Sequence, residues 1–302
     1  MKFVSIEKAD GIKLGIRTGG GILDVAAALA AEPAEGIPDD MMDVIAGQPG
    51  VLEALDAYVR RWQAAREAGD ARAADVFVNE RTMSFAPSVP RPGKIVCVGL
   101  NYRRHAEETN AAIPGSPILF NKFSNALSAH GQEIAIPTDI TSQVDYEAEL
   151  AIVIGREARR IGREEALGCV FGYSAANDLS ARDLQMRSSQ WLLGKSLDGF
   201  CPLGPDLVTA DEVPDPNGLD IRCIVNGETR QRSNTSDMIF RCDEIISYIS
   251  WHMTLSPGDV ILTGTPEGVM LGWPEDRRLY LRPGDIVTVE IERLGSLVNR
   301  MA

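Results

Sequence analysis

The chain has 302 residues, 44% of them hydrophobic, with 43 acidic against 30 basic side chains and a formal net charge of -13. A chain of this size buries a full core without disulfides or a structural metal, and a surface this acidic repels a phosphate backbone, which excludes nucleic acid as a general partner. The five cysteines (Cys97, Cys169, Cys201, Cys223, Cys242) form no C-x-x-C pair, which excludes a disulfide framework and a zinc ribbon, and no run of ~18 apolar residues offers a membrane span.

Met1-Lys2-Phe3-Val4-Ser5 leads straight into strand-like sequence without a charged and then apolar leader, so an unexported, cytoplasmic protein is expected. Strands are predicted at 3–6 and 13–17, and Gly19-Gly20-Gly21 reads as a hairpin turn, its spacing not being G-x-G-x-x-G. From 51 to 72, Leu52, Leu55, Val59 and Trp62 recur at helical spacing between charged residues, which predicts a long amphipathic helix. Three prolines between Ala86 and Gly93 block both helix and ladder bonding, and a boundary there gives a small N-terminal domain, 1–88, and a larger one, 89–302.

Beyond the boundary strands dominate, at 94–99, 146–154, 170–175, 221–225, 260–263 and 286–291. Asn226-Gly227 is a type I′ hairpin signal, and Pro257-Gly258-Asp259 and Pro283-Gly284-Asp285 place Gly where a type II turn needs it. Helical stretches at 163–167, 180–186 and 243–253 are too few and irregular for repeated βαβ units. The fold class is therefore α+β, predominantly β.

Within 144–154 a strand would put Glu147 and Glu149 on one face and Tyr146, Ala148 and Leu150 on the other. Two adjacent carboxylates raise each other's pKa unless a cation or shared proton relieves them. With only His105, His130 and His252 in the chain, an all-oxygen site for Mg²⁺, Mn²⁺ or Ca²⁺ suits this chemistry better than zinc. Asp178 follows the strand at 170–175, and Ser180 with Asp183 fits a capping box for the next helix, on which Arg182 and Gln185 share a face. Gly194-Lys195-Ser196 is not a Walker motif, because residue 189 is Ser where that motif needs Gly.

Five stretches, in order, resemble the fumarylacetoacetate hydrolase family from Lys94 to the C-terminus: 94–102 with His105, 145–150, 177–185, 194–196, and Thr263-Gly264-Thr265-Pro266. The resemblance implies a mixed β-sandwich roll, a homodimer, and metal ligands at Glu147, Glu149 and Asp178, with Mg²⁺ as the expected ion. It also implies a catalytic His105 on a segment that turns helical over the ligand, paired with Glu108 rather than the neighbouring Glu107. Lys195 matches the family's active-site lysine, and Arg182, Gln185 and Thr265 match its substrate contacts.

The implied substrate is a small 2-oxo acid. Hydrolysis of an acylpyruvate or 2,4-dioxo acid to pyruvate and a carboxylic acid is the first expectation, and decarboxylation of oxaloacetate or isomerisation or hydration of a related acid is the alternative. A metal-binding protein without turnover is the reading from a different class.

Overall fold

The computed structural model describes residues 1–302. Its centre is the strand Ala148–Ile154, in which every residue is buried. It pairs antiparallel with Val170–Asn177 on one side and Val260–Leu262 on the other. Alternation along it divides two cores: Leu150, Ile152 and Ile154 enter one apolar cluster, Ala151 and Val153 the other. A strand buried on both faces needs an unbroken apolar run, which is how Leu150-Ala151-Ile152-Val153-Ile154 reads.

Eleven strands form the large sheet. Beyond Val260–Leu262 it continues through a parallel pairing to Ile95–Gly99 and ends at Ile118–Lys122. On the other side it passes from Val170–Asn177 to Leu207–Thr209 and then to the N-terminal strand Lys2–Lys8, where Phe3 stands opposite Leu207. A second sheet, of Glu228–Asn234, Asp220–Val225, Ile286–Ile291, Gly295–Met301 and Glu133–Ile134, contributes Ile221, Val289 and Leu297 to the first core. Helix Cys242–His252 adds Ile245, Ile246 and Ile249 to it. The architecture is mixed, with two sheets sharing a core, as the fold class anticipated.

The hairpin at Gly19–Gly20 joins Gly11–Thr18 to Gly21–Asp24. The helix predicted over 51–72 is Val51–Glu67, burying Leu55, Tyr58, Val59 and Trp62. It stops short because Gly69 takes φ +78°, and a separate short helix Arg72–Val76 follows. Asn226 and Gly227 both have positive φ, +52° and +82°, as a type I′ turn requires. The capping box expected at Ser180 and Asp183 does not form. Ser180 and Ala181 are a short strand, and Asp183 instead accepts hydrogen bonds from Thr141 and Ser142, so the helix is the single turn Arg182–Gln185.

The large sheet runs through the position of the expected domain boundary, and residues from both sides of it share the second core. Arg17 fastens the two parts, donating to Asp206 Oδ1 at 2.7 and 2.9 Å and to Glu80 Oε2 at 2.6 Å. All five cysteines are free, buried thiols, and no helix is long and apolar enough to cross a membrane.

Phe3, fully buried at the joint between the N-terminal strand and Leu207–Thr209, should be indispensable to this continuity. Phe3→Ala is expected to lower unfolding free energy by about 3–5 kcal/mol in urea titration, within one cooperative transition. A loss under 1 kcal/mol, or melting of the N-terminal strands in a separate earlier step, would contradict this.

Candidate active site

Sheet pairing brings the acidic residues together. Ala148 stands opposite Asn177 and Glu149 opposite Ala176. The pairing reaches just past the strand ends: Glu147 N–H donates to Asn177 Oδ1 at 3.0 Å, and Asp178 N–H donates to the Glu147 carbonyl at 2.9 Å. Glu147, Glu149 and Asp178, which are 5%, 2% and 0% exposed, thus present carboxylate oxygens within 4.8 Å of one another.

Three buried cations surround them. Lys195 Nζ donates to Glu147 Oε2 and Asp178 Oδ2, both at 2.7 Å. Lys122 Nζ donates to Asp178 Oδ1 at 2.5 Å and to the Leu179 carbonyl at 3.1 Å. Arg182 reaches Asp145 Oδ2 at 2.9 Å and Glu147 Oε1 at 2.7 Å, and donates through Nη1 to Gln185 Oε1 at 3.0 Å. Asp145 also accepts from the backbone N–H groups of Met270 and Leu271, which ties the following loop to the cluster.

Four carboxylates against three cations leave one negative charge, and it falls on Glu149. Its Oε2 accepts the Gly264 N–H at 2.7 Å, but no Lys or Arg is paired with it. Burial and the neighbouring Asp178 and Glu147 charges push its acid well above the ordinary carboxylate range. Burial opposes ionisation of Glu147 too, but Lys195 and Arg182 outweigh it and bring that acid down to about 2. Burial likewise opposes the Lys195 charge, and Asp178 and Glu147 overcome it, so the ammonium is held firmly charged. A buried, all-oxygen, three-carboxylate cluster with one uncompensated charge fits a hard divalent cation.

The other half of the site comes from the helix Arg103–Glu108. His105 Nδ1 lies 2.8 Å from Glu108 Oε1, and Glu108 Oε2 accepts the Gly268 N–H at 2.9 Å. With the carboxylate accepting, a ring proton is assigned to Nδ1, the tautomer that in a neutral imidazole leaves the lone pair on Nε2. Glu107 is exposed, so the partner is Glu108. A Cβ at Gly272 would fall 2.6 Å from Glu108 Cδ, so a side chain there would displace this carboxylate from its present place.

Both halves open on one cavity of about 560 Å³, lined by His105, Glu108, Glu147, Glu149, Arg182, Gln185, Lys195 and Thr265, with Phe120, Trp191 and Trp273 as aromatic wall. Of the nine residues singled out from sequence, Asp178 alone does not reach the wall. Thr265 is tied to the frame, donating to the Ala148 carbonyl at 3.0 Å and accepting from Gln231 Nε2 at 2.8 Å. Sequence reasoning missed Lys122, Asp145 and Gln231. A lysine ending the short apolar strand Ile118–Lys122 was the one signal for the first, and Asp145 was visible only as an extra acid beside the E-x-E pair.

Residues 94–302 match the family model described as fumarylacetoacetate (FAA) hydrolase C-terminal. The mitochondrial oxaloacetate tautomerase FAHD2A of Bos taurus is 43% identical over 296 residues, covering 96% of this chain and 88% of the relative. Among solved structures, the fumarylacetoacetate hydrolase of psychrophilic Exiguobacterium antarcticum superposes with a TM-score of 0.77 at 34% identity, covering 100% and 99% of the two chains. A maleylpyruvate hydrolase of Sphingobium sp. SYK-6, solved with manganese(II) and pyruvate, does so with a TM-score of 0.74 at 30% identity and the same coverage.

The charge imbalance is measurable in metal-free protein. Glu149 has a raised pKa when folded, so between its unfolded value and that raised value the native state binds the extra proton, and stability falls as pH rises. Chelator-treated Glu149→Gln should therefore lose less stability than wild type between pH 5 and 8 in urea titrations. Identical pH slopes in the two proteins would refute the assignment of the surplus charge to Glu149.

Proposed function

Because the chain belongs to the fumarylacetoacetate hydrolase family, we propose that it is a divalent-metal-dependent enzyme that moves a proton at C3 of a small 2-oxo acid, its reaction being interconversion of the enol and keto forms of oxaloacetate. The observation that carries this reading is the His105–Glu108 pair opening into the same cavity as Glu147 and Glu149, two members of the acidic triad. The bovine relative, named an oxaloacetate tautomerase and matched over nearly its whole length, supports the choice of reaction.

Glu147, Glu149 and Asp178 would hold the cation, Mg²⁺ in this reading with Mn²⁺ or Ca²⁺ as alternatives. When bound, it would supply a Lewis acid for the carboxylate and 2-oxo oxygens of the substrate. Glu108 fixes the His105 tautomer, so that Nε2 takes the proton from C3 of the keto form. The imidazolium then returns it to C3 or to the 2-oxygen, and that choice is the difference between keto and enol. Lys195, held as an ammonium, steadies negative charge at the 2-oxygen, whereas Arg182 orients Glu147 through the contact it already makes. Gln185 and Thr265 are wall residues proposed to touch the substrate.

Hydrolysis of an acylpyruvate is the second reading, with Nε2 taking its proton from water. The aromatic-walled cavity of about 560 Å³ favours it, being larger than a four-carbon acid needs. The five buried thiols suit a reducing compartment, the cytoplasm in this reading, and a homodimer is the expected assembly.

With Mg²⁺ present, loss of the enol absorbance of oxaloacetate should be accelerated, while CO₂ release and pyruvate release from acetylpyruvate are followed beside it. Pyruvate from acetylpyruvate, without faster enol loss, would put the hydrolase first, and CO₂ from oxaloacetate would indicate decarboxylation. His105→Ala is expected to lose ~10²-fold or more in rate while keeping its metal-induced rise in Tm, and Asp178→Ala to lose both. A fully active His105→Ala would remove the proton-transfer role.

A further inference from the structure

Among the basic side chains that line the cavity, Arg278 is the one without a carboxylate. Lys195 is held by Glu147 and Asp178, Arg182 by Asp145 and Glu147, and His105 by Glu108. The half-buried guanidinium of Arg278 donates instead through Nε to the Trp273 carbonyl at 2.9 Å and through Nη2 to the Leu271 carbonyl at 3.1 Å. Both acceptors belong to cavity-lining residues, so the planar group is fixed in the wall with Nη1 uncommitted. Two residues on, the buried hydroxyl of Tyr280 lies beside this same guanidinium. In a chain of net charge -13, a positioned cation inside the cavity that meets no carboxylate marks a place for an anion.

The inner cations and the triad already account for one end of a 2-oxo acid. We propose that Arg278 is a specificity-determining residue that binds a second carboxylate, remote from the 2-oxo group, so that the substrates of this site are dicarboxylic 2-oxo acids. The proposal rests on the reading of the cavity as a 2-oxo acid site and narrows its substrate class. The competing role for Arg278 is a clasp that merely holds the Leu271 and Trp273 carbonyls. A clasp would serve every substrate alike, whereas a carboxylate receptor separates substrates by charge.

Oxaloacetate and acetylpyruvate separate the two roles, because they enolise at the same carbon and differ chiefly in carrying a carboxylate or an acetyl group at the far end. Enol-to-keto rates on both are measured with Mg²⁺-loaded wild type, Arg278→Met and Arg278→Lys, each first checked for a native melting transition. The ratio of kcat/KM for oxaloacetate over acetylpyruvate should fall ~30-fold in Arg278→Met, chiefly through KM, with Arg278→Lys in between. An unchanged ratio, whether both rates fall together or neither does, overturns the proposal and leaves the clasp. If wild type converts neither acid, the functional reading has failed and Arg278 is judged by binding alone. Oxaloacetate must then raise the wild-type Tm more than pyruvate does, and the excess must vanish in Arg278→Met. Absence of the excess in wild type, or its persistence in the variant, overturns the proposal.

Discussion

Everything in the site follows from carboxylates being buried where water cannot solvate them. Asp145, Glu147, Glu149 and Asp178 stand at the ends of strands whose apolar residues fill two cores, and each must be compensated locally. Lys122, Arg182 and Lys195 compensate three of the four. The remaining charge makes the cluster incomplete by design of its electrostatics, and the same incompleteness that destabilises a bare protein at neutral pH favours an arriving cation. Ligand affinity and cost to the fold have one origin here.

The half of the site built on His105 and Glu108 obeys a softer constraint. His105 and Glu108 lie on a helix of only six residues, too short to persist by its own hydrogen bonds. It is held instead by contacts at both ends: Arg103 donates to the carbonyls of Asp237 and Met238, and Glu108 reaches Gly268. The proposed proton transfer would thus rest on a locally weak element docked on a rigid one.

Much of this was legible in the sequence because it depends on short-range rules. The E-x-E pair, the strand preceding Asp178 and the Asn226-Gly227 turn each need only a few neighbouring residues to interpret, whereas the pairing of His105 with Glu108 came from the family resemblance. Lys122 and Asp145 were not legible, since their roles exist only across strand pairings far apart in the chain. The capping box at Ser180 failed for a related reason: Asp183 found Thr141 and Ser142, 42 and 41 residues upstream, and tertiary contact overrode the local pattern. The proline-rich stretch was likewise read as a divider, although the strands on its two sides belong to one sheet.

That shared sheet bears on how the polypeptide can be dissected. Leu207–Thr209 has Val170–Asn177 on one side and Lys2–Lys8 on the other. Excising the first 93 residues would retain every side chain of the acidic cluster but convert an interior strand into a naked edge, with Leu207 and Val208 bared alongside unpaired amides. Such an edge is a template for intermolecular β-pairing. A fragment starting at Lys94 should therefore self-associate through that strand, which sedimentation of the fragment against the full chain would read directly. In this molecule the N-terminal strand covers that sheet margin.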